Sequence, residues 1–154
     1  WQDEVIEILF AISPNLTIAS PRRGVRDRIS RYIISGDDDF FPRQRAWENY
    51  HLEIASRKGA IMFWLPGEVE HKCDKSYGAM TRLELGQWMR NQRTCFGSDG
   101  KFSEVDTIAY DIRQYAHNKT IYTTLRETCE QAVRLAGKAE DLSILKYHKL
   151  IWKS

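Results

Sequence analysis

Apolar residues recur at every third or fourth position in several long stretches of the chain, and short uninterrupted apolar runs lie between them. The first pattern is typical of helices packed on one face, and the second of buried strands. The spacing predicts helices over residues 1–12, 43–58, 79–91, 104–115 and, as one or two helices, 124–150. The apolar runs predict strands over residues 16–20, 60–65, 93–96 and 120–124.

Strands and helices alternate along the chain, which is the pattern of βαβ units. Parallel strands joined by helices form a sheet that is covered on both faces. The run "AIMFWL", residues 60–65, is apolar throughout and fits a strand inside such a sheet. We therefore expect an α/β fold with three layers and a central parallel sheet of four to five strands. The acidic segment "GDDDFFP", residues 36–42, is interpreted as a solvated surface loop and not as a metal site.

Composition and charge exclude several classes of protein. A chain of 154 residues with 42% hydrophobic residues suits one domain. Its net charge of +2 comes from interspersed acids and bases, which argues against a nucleic-acid partner. No apolar stretch reaches the roughly 18 residues of a membrane span, and no signal peptide is recognisable. The three cysteines lack metal-ligand spacing, so we expect free thiols in the cytoplasm, no metal and no cofactor.

Chemically active residue types gather where two of the predicted strands end. In open parallel sheets the ligand crevice lies outside the carboxyl ends of the strands. Arg22 and Arg23 follow the strand over residues 16–20. The strand over residues 60–65 is followed by Asp74, Tyr77, Thr81 and Glu84. Each of these side chains also has a plain structural interpretation, as surface charge or as packing beside a turn.

Glu84 is the strongest candidate among them. It lies within the first two turns of its predicted helix, where the helix N-terminus stabilises an anion. If the helix packs through Met80, Leu83 and Trp88, Glu84 faces the mouth of the crevice. A carboxylate there can act as a nucleophile or stabilise a cationic sugar carbon. The alternative from the sequence alone is an ordinary solvated acid on an amphipathic helix.

Three segments in order resemble the nucleoside 2-deoxyribosyltransferase family and its relatives that hydrolyse the N-glycosidic bonds of nucleosides and nucleotides. They are "SPRR", "WENYHLEIASRKGAIMFWLP" and "TRLELGQW", within a resemblance that spans about residues 1–124. The resemblance implies a single flavodoxin-like domain, a nucleoside or nucleotide substrate and a homo-oligomer. It also implies that Glu84 attacks C1′ of the sugar and displaces the base. The candidates for substrate contact are Arg22, Arg23, Trp47, His51, Asp74, Tyr77 and Thr81.

The chain departs from the family pattern at two aspartates and at its start. Many members carry aspartates immediately before the apolar strand and six residues before the nucleophile, where this chain has Gly59 and Gly78. The proton for the leaving base then has to come from Asp74, from Glu68 or from water. Members also open with a strand, whereas this chain opens inside the first helix. The strand over residues 16–20 is therefore expected to lack a partner.

Three functions remain open on the sequence. The first is an N-glycosyl enzyme, either a transferase or a hydrolase, with Glu84 as the nucleophile. The second is an effector that cleaves NAD, since the nicotinamide bond is also an N-glycoside. The third is a catalytically silent nucleotide-binding or interaction module.

Overall fold

The computed structural model describes residues 1–20, 29–31, 41–70, 76–116 and 119–137. Its helices are α1 (Gln2–Ile12), α2 (Phe41–Lys58), α3 (Ala79–Trp88), α4 (Val105–Tyr115) and α5 (Leu125–Gly137). Its strands are β1 (Ile18–Ser20), β2 (Ile29–Arg31), β3 (Ile61–Leu65), β4 (Thr94–Ser98) and β5 (Ile121–Tyr122). The architecture is α/β, as the alternation of patterns predicted.

The strands form two parallel sheets in the described part of the chain. One sheet has three strands in the order β3-β4-β5, with Phe63 paired to Phe96, and the other joins β1 to β2. The prediction of one sheet with four to five strands is therefore wrong. Neighbouring strands must lie within about 5 Å to share hydrogen bonds. The expectation that the strand over residues 16–20 lacks a partner is also wrong, because β1 pairs in parallel with β2.

Helices cover both faces of the three-stranded sheet. Ile61, Phe63 and Leu65 of β3 point to one face, where they pack with residues of α2, α3 and α4. Met62 points to the opposite face, where α1 and α5 pack together with β1. This alternation is the two-residue period of a strand that is covered on both sides. Among the described helices, none is both long and apolar enough to cross a bilayer.

Several elements differ from the sequence predictions, among them α2, β4 and β2. Helix α2 begins at Phe41, so Phe41 and Pro42 belong to a helix and not to the predicted loop. Proline is tolerated there because the first turn of a helix needs no intrahelical N–H donor. Strand β4 continues to Ser98, two residues beyond its predicted end. Strand β2 was not predicted at all.

Gly97 allows an unusually close approach between strand β4 and its neighbours. A Cβ at this position would lie 2.0 Å from Thr128 Oγ1 and 2.8 Å from the ring of Trp64. Thr128 is fully buried in α5, and Trp64 stands beside Gly97 in the β3–β4 register. The missing side chain therefore lets α5 pack against the sheet.

Gly97→Ala should lower the free energy of unfolding by about 2–3 kcal/mol, because the new methyl group overpacks a closed site. The matched control is Gly86→Ala in α3, where a Cβ meets no atom within 4 Å. That change should raise stability by about 0.5–1 kcal/mol, since alanine favours a helix interior more than glycine does. Urea unfolding of the purified variants measures both values. A Gly97→Ala protein as stable as the parent would show that α5 does not need this close approach.

Candidate functional site

The loops that follow β3 and β4 are joined by a carboxylate at the carboxyl edge of the sheet. Asp99, directly after β4, accepts the backbone N–H of Gly67 with both of its oxygens at 3.0 Å. It also accepts the N–H of Lys101 at 2.9 Å, within its own loop. Beneath it, the buried Ser98 hydroxyl donates to the carbonyl of Leu65 at 2.7 Å. The two strand ends are thus held together where a ligand crevice was expected.

Tyr77 lies at this same edge and braces the loop after β3. Its hydroxyl donates to the carbonyl of Pro66 at 3.0 Å, and its ring packs on Phe102 at 5.5 Å between centroids. Burial raises the pKa of the Tyr77 hydroxyl, and the charges of Glu68 and Asp99 raise that pKa further. The hydroxyl is therefore a neutral donor at neutral pH.

Gly78 cannot carry the aspartate that many members of the resembled family have at this position. Its φ of +67° lies in the left-handed region, which side chains other than glycine rarely adopt. A Cβ there would also lie 2.5 Å from the ring of Phe102, which is itself buried. The ring therefore fills the place that a second carboxylate would occupy.

Helix α3 packs on the core by a different face from the one expected. Met80 and Leu83 are 40% and 61% exposed, whereas Leu85 and Met89 are buried in the core cluster. Of the three residues proposed to pack this helix, Trp88 alone contacts that cluster. The expectation for Met80 and Leu83 is therefore wrong. The helix begins at Ala79, as predicted, so Glu84 is its sixth residue.

The Glu84 carboxylate faces helix α2, where it accepts a short hydrogen bond from Arg45 Nη1. The same nitrogen donates to Glu48 Oε2 at 2.6 Å. The three side chains are only 14–19% exposed. The hydrogen bond to Glu84 is the largest cause that raises the pKa of Arg45, against the lowering effect of burial. Two carboxylates thus share one guanidinium nitrogen in the seam between α2 and α3, and we call these three residues the Arg45 cluster.

Arg45, more than the helix terminus, provides the counter-charge of Glu84. The favourable field of a helix N-terminus falls off within the first turn. Glu84 lies in the second turn of α3, and Arg45 lies in the second turn of α2. The two residues are therefore at similar distances from the N-termini of their helices. Both helices run antiparallel to the strands, so both N-termini point toward the carboxyl edge. The cluster consequently lies just below that edge.

Glu48 occupies a position that normally carries an apolar side chain. It precedes Leu52 by four residues and Ala55 by seven, and both of these pack against the core. Positions spaced in this way share one helix face. Gln44 also donates to Glu48, at 2.9 Å. Glu48 is therefore a partly buried acid on a core-facing strip, held by two donors.

The remaining predicted site residues fall into three groups. Trp47 and His51, one turn apart on α2, pack their rings 4.3 Å apart. Thr81 is partly buried and lies one turn before Glu84 on α3. Arg22, Arg23 and Asp74 lie outside the described residues, as does the end of the predicted closing helices beyond residue 137. The structure brings Glu84 together with two residues that were not predicted, Arg45 and Glu48.

An open groove of about 570 Å³ runs beside the cluster on the outer side of the two helices. Arg45 and Asn49 line it from α2, and Gly86 and Gln87 line it from α3. Arg82 lines it as well, with its guanidinium 4.7 Å from the centre of the Phe102 ring. Arg45 therefore lines the groove and also contacts the two carboxylates.

Comparison of the chain with models of protein families, with curated proteins and with solved structures gives no match. The assignment of roles to these residues consequently depends on the chemistry of the site and on the family resemblance, which stays a prediction.

Tyr77→Phe should lower the free energy of unfolding by about 1 kcal/mol at pH 7, because the Pro66 carbonyl loses its donor. The raised pKa of Tyr77 means that the stability tied to the neutral hydroxyl is fully present below the unfolded pKa and is lost as pH rises through the folded pKa. The deficit of the variant should therefore shrink above about pH 10. Urea unfolding at pH 7 and again above about pH 10 tests this. Tyr110→Phe, at an exposed tyrosine, should change stability at neither pH, and a constant Tyr77→Phe deficit would contradict the assignment.

A double-mutant cycle on Arg45→Met and Glu84→Gln should give a coupling energy above about 1 kcal/mol, because the pair is shielded from water. The matched control is Arg57→Met with Glu53→Gln, an ion pair on α2 in which both side chains are more than half exposed. Its coupling energy should stay below about 0.5 kcal/mol. Chemical denaturation of the seven proteins, the parent being common to both cycles, supplies both numbers. Equal coupling in the two cycles would mean that the Arg45 cluster behaves as an ordinary surface pair.

Proposed function

We propose that the chain is an N-glycosyl enzyme that cleaves or exchanges the base of a nucleoside or nucleotide, with Glu84 as the nucleophile on a flavodoxin-like scaffold. The observation that carries the proposal is the placement of Glu84. It lies one and a half turns from the carboxyl edge of a parallel sheet, turned into the seam between α2 and α3 and away from bulk solvent. A carboxylate that interacts only with solvent is not expected at such a position.

The chemistry asks for a carboxylate below the sugar and a way for the base to leave. Cleavage of an N-glycosidic bond develops positive charge at C1′, which a nearby carboxylate stabilises or captures. Attack by Glu84 gives a glycosyl ester and frees the base. Transfer follows when a second base attacks C1′, and hydrolysis follows when water does. Arg45 donates a hydrogen bond to the carboxylate and provides its counter-charge until the substrate enters.

Cleavage of NAD is a second candidate function. The absence of a carboxylate at Gly78 favours it. Phe102 fills the place of the family's second carboxylate, which lies near the base or the sugar. Nicotinamide carries a positive charge while it is bound to the ribose and leaves as a neutral molecule. Its departure therefore needs no acid, and a site with one glutamate is sufficient for it.

The test is incubation of the purified chain with a panel of deoxynucleosides, nucleotides and NAD, with free base measured by chromatography. Glu84→Ala should reduce base release at least about 1,000-fold, since removal of a nucleophile stops the covalent step. The control is Glu130→Ala on α5, on the opposite face of the sheet, which should keep the full rate.

Each outcome selects one function. Release of base from nucleosides or nucleotides, lost in Glu84→Ala, supports the first candidate, and release from NAD alone supports the second. If the parent chain releases no base from any member of the panel, or if Glu84→Ala releases it as fast, Glu84 is not a nucleophile. Tight binding of an uncleaved nucleotide would then identify a silent binding module.

A further inference from the structure

We propose that Glu48 is the second catalytic residue of this site, the acid that protonates the leaving base while Glu84 attacks the sugar. The inference rests on the proposed N-glycosyl activity. It answers a question that the sequence leaves open, because the position that holds a second carboxylate in the resembled family is Gly78. Phe102 closes that position to any side chain.

The separation of the two carboxylates suits a mechanism with a covalent intermediate. Glu48 Oε2 and Glu84 Oε1 both accept from Arg45 Nη1, so these two oxygens lie at most about 5 Å apart, the upper limit that two hydrogen bonds to one nitrogen allow. Enzymes that break glycosidic bonds through a glycosyl ester hold their two carboxyl groups about 5–5.5 Å apart. One of these groups is the nucleophile, and the other is the acid.

The placement of Glu48 is unfavourable for a residue without such a role. It shares a helix face with Leu52 and Ala55, which pack against the core, and its side chain is 14% exposed. An apolar residue would stabilise this strip of α2 without any need for partners. Glu48 instead depends on Arg45 and Gln44 for its hydrogen bonds.

Arg45 separates the two acids until a ligand arrives. Its guanidinium contacts both carboxylates and also lines the groove between α2 and α3. A substrate that enters from the groove meets Arg45 first. When the guanidinium turns toward the substrate, Glu48 and Glu84 lie on either side of the place that it leaves, where the glycosidic bond is cleaved.

The two carboxyl groups then complete a balanced cycle. An oxygen of Glu84 bonds to C1′ as the bond from C1′ to the base nitrogen breaks, and the electron pair of that bond moves to the base. Once Arg45 has turned away, the Glu48 carboxylate takes up a proton from water, and this proton then moves to the base, which leaves neutral. Water or a second base then attacks C1′ and gives its proton to the Glu48 carboxylate, and Glu84 departs as a carboxylate.

The test compares two substrates that differ in their need for an acid. Guanine leaves a nucleoside as an anion unless it is protonated, whereas 7-methylguanine is already cationic in the nucleoside and leaves as a neutral base. Glu48→Gln should slow release of guanine at least about 100-fold and release of 7-methylguanine less than about threefold. Glu84→Gln should abolish both. Both nucleosides are used on the sugar that the parent chain accepts, with Glu53→Gln as the control at an exposed acid of α2.

Each result has one interpretation. Equal slowing of the two substrates by Glu48→Gln would show that Glu48 merely positions Arg45, and unchanged rates would remove it from the site; either outcome overturns the inference while the proposed function stands. If the parent chain releases neither of these bases and no base from any member of the panel, the proposed function fails, and the inference fails with it. Should Glu48→Gln not fold, as judged by circular dichroism, Glu48→Asp is measured instead. The same selective loss on guanine is then expected, at a smaller factor.

Discussion

The parallel pairing of β3 with β4 is the contact from which the rest of the molecule takes its positions. Five consecutive residue pairs join the two strands, from Ile61 with Thr94 to Leu65 with Ser98. The alternation of β3 sends its side chains into two separate apolar clusters, one under α2, α3 and α4 and the other under α1 and α5. Because α2 precedes β3 in the chain and α3 follows it, both helices run antiparallel to the strand and lie side by side. The meeting of Arg45, Glu48 and Glu84 follows from that geometry.

The Arg45 cluster is an electrostatic compromise within an otherwise apolar seam. One guanidinium offsets two carboxylates at a place where Leu52, Ala55 and Trp88 pack. Such a cluster contributes less to stability than apolar packing of the same volume would, because every charge in it has lost part of its hydration. The same reasoning separates this cluster from the exposed pair of Arg57 and Glu53, which lies in water and carries no such cost.

Periodicity predicted most of the elements, because α1 and β3 combine strong apolar patterns with clear ends. It missed β2, whose Ile-Ser-Arg sequence has a single apolar residue and depends on β1 for its pairing. It chose the wrong face of α3, because Met80 and Leu83 are apolar but exposed, and hydropathy does not say which of two apolar strips meets the sheet. Glu48 was missed for the opposite reason, since a charge on an amphipathic helix is ordinarily assigned to solvent. Its spacing to Leu52 and Ala55 was the available signal. Gly78 showed that a carboxylate was missing, but the ring of Phe102 in its place is a tertiary contact that sequence patterns do not encode.

The Asp99 carboxylate gives the two loops at the sheet edge a common dynamic behaviour. Asp99 belongs to the loop after β4 and accepts the N–H of Gly67 in the loop after β3, so the two loops cannot separate without breaking these hydrogen bonds. Segments tied in this way open as one cooperative unit and not one by one. A ligand that binds the loop after β3 would then restrict the motion of the loop after β4 as well, and both loops at the sheet edge would respond to it together.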